Sequence, residues 1–196
     1  YLKNDPSVRV SIEDIARGYI TSDGITIGEV AQSVSDARLP RYSNPDKNGQ
    51  GSMGVEYTFG AQAAEIRIEK KTGKIFVDHF TSVFDVGQVI NPLQIRGSVL
   101  GGVTISVGAT LFEKVEFDAE GKILNPHFFQ YHIPTNKEAP KQTIEFIENP
   151  GSVGPFGARG IGEHPVIGPA PAILNAIYDA VGVDFFEIPV TPEIMK

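Results

Sequence analysis

No cysteine occurs among the 196 residues. Disulfides, thiolate-held zinc, iron–sulfur ligation by this chain and a cysteine nucleophile are thereby excluded. No apolar run approaches the roughly 20 residues that cross a bilayer, so no membrane span is expected. Nor does any stretch combine the basic start, apolar middle and small-residue cleavage site of a secretory leader. A cytoplasmic location is therefore expected, although the first residue is Tyr1 rather than methionine. Basic clusters are lacking too. The formal charge is -7 with no stripe of Lys and Arg, so the field repels phosphate backbones and nucleic acid is not an expected partner. Internal repeats and low-complexity tracts are also missing.

Hydrophobic residues make up 41% of the chain, enough to bury a core in one domain or two small lobes. Composition separates residues 1–54 from residues 55–196. In the first part, Ser11-Ile-Glu-Asp14 has the pattern of a capping box and predicts the start of a short helix. From Thr21 to Gly54 the chain is rich in Gly, Ser, Asp, Asn and Pro, which favour local turns, and a long, partly extended loop is expected.

The second part reads as hairpins and helices. Apolar side chains alternate between Glu56 and Glu69, predicting a strand with a bulge near Gln62. Lys70-Lys-Thr-Gly73 turns the chain into a second strand through Ile75 and Val77. Another hairpin is predicted from Val115 and Phe117 to Ile123 across a turn ending at Gly121. Between them, Ile95, Val99, Leu100, Val103, Val107 and Leu111 recur at helical spacing behind Pro92, predicting an amphipathic helix. Its glycines Gly97, Gly101, Gly102 and Gly108 each cost roughly 1 kcal/mol against alanine, so something must approach its backbone closely. A last helix is expected from Pro169 or Pro171 to Val181, stopped by Gly182. The fold class is α+β, with mixed β-hairpins and amphipathic helices.

Six glycines (Gly151, Gly154, Gly157, Gly160, Gly162 and Gly168) surround an isolated acid, Glu163. Backbone N–H groups bared by glycine can approach an anionic or oxo-rich ligand, although a plain surface turn with a solvated glutamate has the same composition. No Lys followed by Ser or Thr makes this a phosphate-binding loop, and the glycine spacing is not that of a dinucleotide fingerprint. The four histidines, His79, His127, His132 and His164, are scattered rather than spaced as metal ligands. Arg159 is suited either to a carboxylated substrate or phosphate or to a structural ion pair. Asp85 and Asn91 read as caps of a turn, and Tyr131 and Pro134 as packing and turn residues.

The string GPFGARGIGEHPVIGPAPAILNAI (Gly154 to Ile177) resembles the end of the molybdenum-binding subunit of the xanthine dehydrogenase and aldehyde oxidoreductase family. DVGQVINP (Asp85 to Pro92), GSVLGGVTISVGATLFE (Gly97 to Glu113), YTFGAQAAEIRIEKKTG (Tyr57 to Gly73) and YHIPT (Tyr131 to Thr135) are similar to the same family. The resemblance covers roughly the whole chain and only the C-terminal portion of the family's molybdopterin-binding region. It implies the C-terminal lobe of a molybdenum-cofactor-binding domain and the hydroxylation of an electron-poor carbon, with water supplying the oxygen and the metal taking two electrons. The glutamate matching Glu163 is then the catalytic base, and burial of such a carboxylate suits that task. Ile161, Gly162 and, less directly, Gly160 are the implied cofactor contacts, with Gly97 and Ser98 on the glycine-rich helix. Ser98 and Ser106 stand where family members usually carry glutamine, a departure that touches cofactor geometry.

The implied cofactor is the molybdenum-pterin group, molybdopterin or its dinucleotide form, with no side chain of this chain directly on the metal. 2Fe–2S and FAD centres are expected on partner chains or domains, beside the remaining molybdopterin-binding region and a small-molecule substrate. The alternative function is a non-catalytic scaffold or assembly module of the same fold. A carboxylate-pair hydrolase lacks a second acid that the sequence places near Glu163.

Overall fold

The computed structural model describes residues 43–54 and 56–195, and the backbone of residues 19–20 and 26–27. The chain divides into two compact units, Tyr1–Leu39 and Pro40–Lys196, so the compositional boundary after residue 54 does not coincide with the compact one. In the first unit β1 (Tyr19–Ile20) pairs antiparallel with β2 (Thr26–Ile27), a short ladder reaching into the segment expected to be loop. The helix start expected at Ser11 lies outside the described residues. Ser43 to Gly54 form turns without regular structure.

In the second unit β3 (Phe59–Glu69) and β4 (Lys74–Asp85) form the expected hairpin. Its turn closes because the Glu69 carbonyl accepts from Thr72 and Gly73 N–H at 3.1 and 2.8 Å, with Gly73 at φ 78°. The bulge is not near Gln62. Glu65 pairs with His79 and Ile66 with Val77, leaving Asp78 as the extra residue on β4. Alternation along β3 therefore runs unbroken through Gln62, Ala64, Ile66 and Ile68. On β4 it changes phase, from Ile75 and Val77 to Phe80, Ser82 and Phe84.

A third strand, β5 (Lys141–Ile147), lies parallel to β4 and was not foreseen from the sequence. Parallel neighbours need a long crossover, here containing α1 (Pro92–Leu111). Asn91 caps α1, its Oδ1 accepting from Gln94 N–H at 3.1 Å, and Pro92 occupies the first turn. The second expected hairpin shrinks to one bridge, Phe117 to Ile123. Val115, Phe117 and Ile123 are all exposed, and two strands with no layer to pack against are marginal.

The core lies between the sheet and the helices. Val99, Val103, Val107 and Leu111 fall one turn apart on α1, against α2 (His164–Ile167) and α3 (Pro169–Val181). From α3, Ile173 and Ile177 enter the same cluster, and Gly182 at φ 72° ends the helix. The exposed side of α1 is mixed, with Leu93, Leu100 and Ile105 beside Gln94, Arg96 and Ser98. The helix is thus less cleanly amphipathic than expected, and the described residues do not cover these apolar side chains.

Burial magnitudes predict a clear contrast on neighbouring helices. Ile173→Ala should lower unfolding free energy by about 2–5 kcal/mol in urea titration, because it opens a cavity in the core. Ile167→Ala, at a site 72% exposed, should stay within about 0.5 kcal/mol.

Candidate cofactor cleft

The glycine-rich loop is held to the end of β4 by backbone bonds. Val86 N–H donates to Ile147 O at 3.2 Å, Arg159 N–H to Val86 O at 2.8 Å, and Gln88 N–H to Gly157 O at 3.2 Å. The same Gly157 carbonyl accepts from Gly151 N–H at 2.8 Å, closing the loop on itself. Two glycines make this crossing possible. Gly157 is buried at φ 79°, and a Cβ on Gly87, at φ 65°, would overlap the Gly157 carbonyl oxygen. A one-turn 3₁₀ segment, Pro155–Gly157, carries the exposed Phe156 at φ 56° on the outside of the loop.

Residues leading into β3 clamp the loop from the other side. Glu56 Oε1 accepts from Ser152 N–H at 2.5 Å and Val153 N–H at 3.1 Å, and Thr58 Oγ1 donates to Gly160 O at 2.6 Å. The backbone N–H of Ser152, followed by those of Val153 and Gly154, holds the Glu56 carboxyl below its ordinary range against the opposing effect of partial burial. Glu56 is a positioning residue of the loop that the sequence did not reveal. Its partners are nearly a hundred positions away, and no local pattern signals them.

Arg159 forms an ion pair with Asp85 at 3.0 Å, both side chains being largely withdrawn from solvent. The Asp85 carboxyl is held low, first by the Gly87 N–H and then by the Arg159 guanidinium. Of the two roles considered for Arg159, the structural pair is the one made, but its Nε is buried without a partner. Asn91 is a cap as expected, and Asp85 accepts from Gly87 N–H at 3.2 Å. The remaining histidines sit in local contacts: His79 bridges Glu65 and Thr143, His132 meets Glu138, and His127 stacks on Phe129. Tyr131 donates to Glu113 at 2.7 Å, and that bond raises the pKa of the phenol.

A cleft of about 230 Å³ opens between the first turns of α1 and this loop. Ser98, Arg159 and Ile161 line it together, with Gln88, Asn91 and Gln94. Gly97 stands beside Ser98, and Gly160 and Gly162 flank Ile161. None of these three glycines has positive φ, and a Cβ on any of them would meet nothing within 4 Å. Gly102 and Gly108, by contrast, are pressed against Pro165 and Pro134. Ser106 also separates from Ser98, being buried in the core.

Glu163 follows at the start of α2, its carbonyl accepting from Val166 N–H at 2.9 Å. Its side chain is exposed, so the burial expected of a carboxylate base is not provided by this chain. His164, next along, has a buried Nδ1 without a partner and faces a different cavity, of about 340 Å³, with Gln62 and Asn175.

The cleft thus sets side-chain amides and the Arg159 guanidinium among Val86, Ile90, Ile95 and Ile161, with uncrowded glycine backbone beside it, a lining that fits a group with both ring faces and oxygen or nitrogen atoms. A family model described as molybdopterin cofactor-binding domain matches residues 3–140, and the chain belongs to that family. It is 30% identical over 201 residues to the nicotine 6-hydroxylase large subunit of Paenarthrobacter nicotinovorans, covering 93% of this chain and 25% of that protein. Identity to the xanthine dehydrogenase molybdenum-binding subunit of Escherichia coli O157:H7 is 30% over 173 residues, or 84% of this chain and 23% of the relative. Among solved structures, aldehyde oxidoreductase from Desulfovibrio gigas superposes with a TM-score of 0.72 at 34% identity, over 79% of this chain and 17% of that one. The chain thus spans about a quarter of the length of the curated relatives it matches.

Two predictions follow the loop's construction. Gly157→Ala should cost on the order of 1–3 kcal/mol, because alanine must hold positive φ in a closed space, whereas Gly160→Ala should be near neutral in the same denaturation assay. Stability from Glu56 is fully present above the ordinary glutamate value of about 4.3 and is lost as pH falls through the depressed folded value. Glu56→Gln should therefore lower the melting temperature at pH 7, with the gap to wild type closing in acid. An equal gap at all pH values would refute the charge-based clamp.

Proposed function

We propose that this chain is the C-terminal portion of the molybdopterin-binding region of a molybdenum hydroxylase, with Glu163 as its general base. The observation that carries the reading is that Ser98, Arg159 and Ile161 line one cleft shortly before Glu163, with the uncrowded Gly97, Gly160 and Gly162 next to them in the chain. When bound, the molybdenum-pterin cofactor, as molybdopterin or its dinucleotide, supplies a two-electron sink and activates water for attack on an electron-poor carbon of an aldehyde, purine or N-heterocycle.

The chain's own groups do the positioning and the proton transfer. Gly160 and Gly162 leave backbone open to the cofactor, while the Asp85–Arg159 pair and the Glu56 clamp fix the loop that carries them. Arg159, on the cleft wall, is the cation suited to an oxygen of the cofactor's phosphate or of a carboxylated substrate. The Glu163 carboxylate accepts the proton released by water. A base works best when solvent is excluded, and the covering surface must come from the remaining molybdopterin-binding region. 2Fe–2S and FAD centres on partner chains of a cytoplasmic, multi-subunit assembly would take up the electrons. Family membership and the relatives' names, a hydroxylase large subunit and a dehydrogenase molybdenum-binding subunit, support the molybdenum-hydroxylase part of this reading.

The test is to purify the chain in its native assembly and measure molybdenum and pterin. Glu163→Gln should keep both at wild-type stoichiometry and lose at least about 100-fold in kcat, because the amide cannot accept the proton. Unchanged turnover removes Glu163 as base. Lack of molybdenum and pterin in every preparation removes the catalytic reading and leaves the non-catalytic scaffold.

A further inference from the structure

Ser98 lies on the wall of the cleft, but its hydroxyl is already engaged. Its Oγ donates to the Gln94 carbonyl at 3.2 Å, one turn back along α1. Serine bonded to the carbonyl at i−4 satisfies itself within the helix and projects little beyond it. Gln94 lines the same cleft, and residues four apart share a helix face. Its backbone is used, the N–H by Asn91 Oδ1 at 3.1 Å and the carbonyl by Ser98. Its side-chain amide makes no hydrogen bond to another described residue, and it has the length that serine lacks.

Two neighbours offer less. Asn91 spends its side chain on capping α1. Gln88 lines the cleft from the turn after β4 and is not on a regular element, where side chains are held less firmly. Across the cleft, Arg159 lines the opposite wall and brings a cation, a donor without acceptor capacity, to it. An amide supplies both a donor and an acceptor. Gln94 and Arg159 together suit a ligand that presents ring nitrogens and amino or oxo groups at one place and an oxygen acceptor at another.

We propose that Gln94 is the side chain through which α1 holds the pterin cofactor, Ser98 being turned back onto the helix. This rests on the cofactor reading above and adds a binding residue to it. The test measures bound pterin, as fluorescence after oxidation, and bound molybdenum in the purified native assembly. Gln94→Ala should reduce both about tenfold, the loss expected of one well-made polar contact. Ser98→Ala should lose no more than half of either. Gln94→Ala combined with Ser98→Gln, which returns an amide to the same face one turn later, should recover most of the loss.

Melting temperatures of the variants control for folding, and they should match wild type, because the Asn91 cap uses the backbone of residue 94 and not its side chain. Wild-type pterin content in Gln94→Ala, or an equal loss in Ser98→Ala, overturns the assignment. Loss of pterin in step with a lowered melting temperature, without recovery in the double variant, also overturns it. A wild-type assembly with no pterin at all overturns the cofactor reading and this one together, whereas a loaded wild type with an equally loaded Gln94→Ala overturns this one alone.

Discussion

Gly87 and Gly157 bring two stretches of backbone closer together than any side chain at position 87 permits. At that crossing the end of β4 hands its hydrogen bonds from β5 to the glycine-rich loop: Val86 bonds to Ile147 on one side and to Arg159 on the other. The cleft exists because the loop lies there. Residues 158–161 face the first turns of α1, and α1 begins a few residues beyond the same crossing. Moving the two strands of backbone apart by one methyl group would separate the two walls of the site.

Electrostatic contacts hold the loop to its surroundings from positions remote in sequence. Glu56 receives consecutive N–H groups of the loop much as a bound anion would, and Thr58 ties down Gly160 two residues further along the same lead-in. Asp85 meets Arg159 from the end of β4. The segment before Glu163 is thus fastened by β3, β4 and their approaches, and of its last residues Ile161 packs against the core while Gly160, Gly162 and Glu163 are exposed. Rigid support with an open face is the arrangement a preformed wall of a shared cofactor site requires.

The glycines fall into two classes that composition does not separate. Gly87, Gly102, Gly108 and Gly157 are demanded by packing within the chain, whereas Gly97, Gly101, Gly160 and Gly162 meet nothing. A glycine in a helix interior costs stability, and for Gly97 and Gly101 no contact with a described residue offsets the cost. The exposed Leu93, Leu100 and Ile105 lie on the same helix, in a chain that spans about a quarter of the length of the relatives it matches.

Much was legible in the sequence where the signal is local. Pro92 and Asn91 start α1, Gly182 stops α3, Gly73 turns the β3–β4 hairpin, and the glycine-glutamate motif with its companion blocks identifies the family. The rest depended on partners far along the chain. The bulge at Asp78 appears only when β3 and β4 are set in register, and β5 finds its place only by pairing with β4 across a crossover. The outward position of Glu163, the Glu56 clamp and the bonding of Ser98 to its own helix are likewise tertiary outcomes. Sequence by itself determined α1, α3, the β3–β4 hairpin and the family, because these rest on dihedral preference and short-range pattern. Tertiary structure alone decided which glycines are structural, which acids are fastened and which amide faces the cleft, because those depend on which distant backbone atoms come within hydrogen-bonding distance.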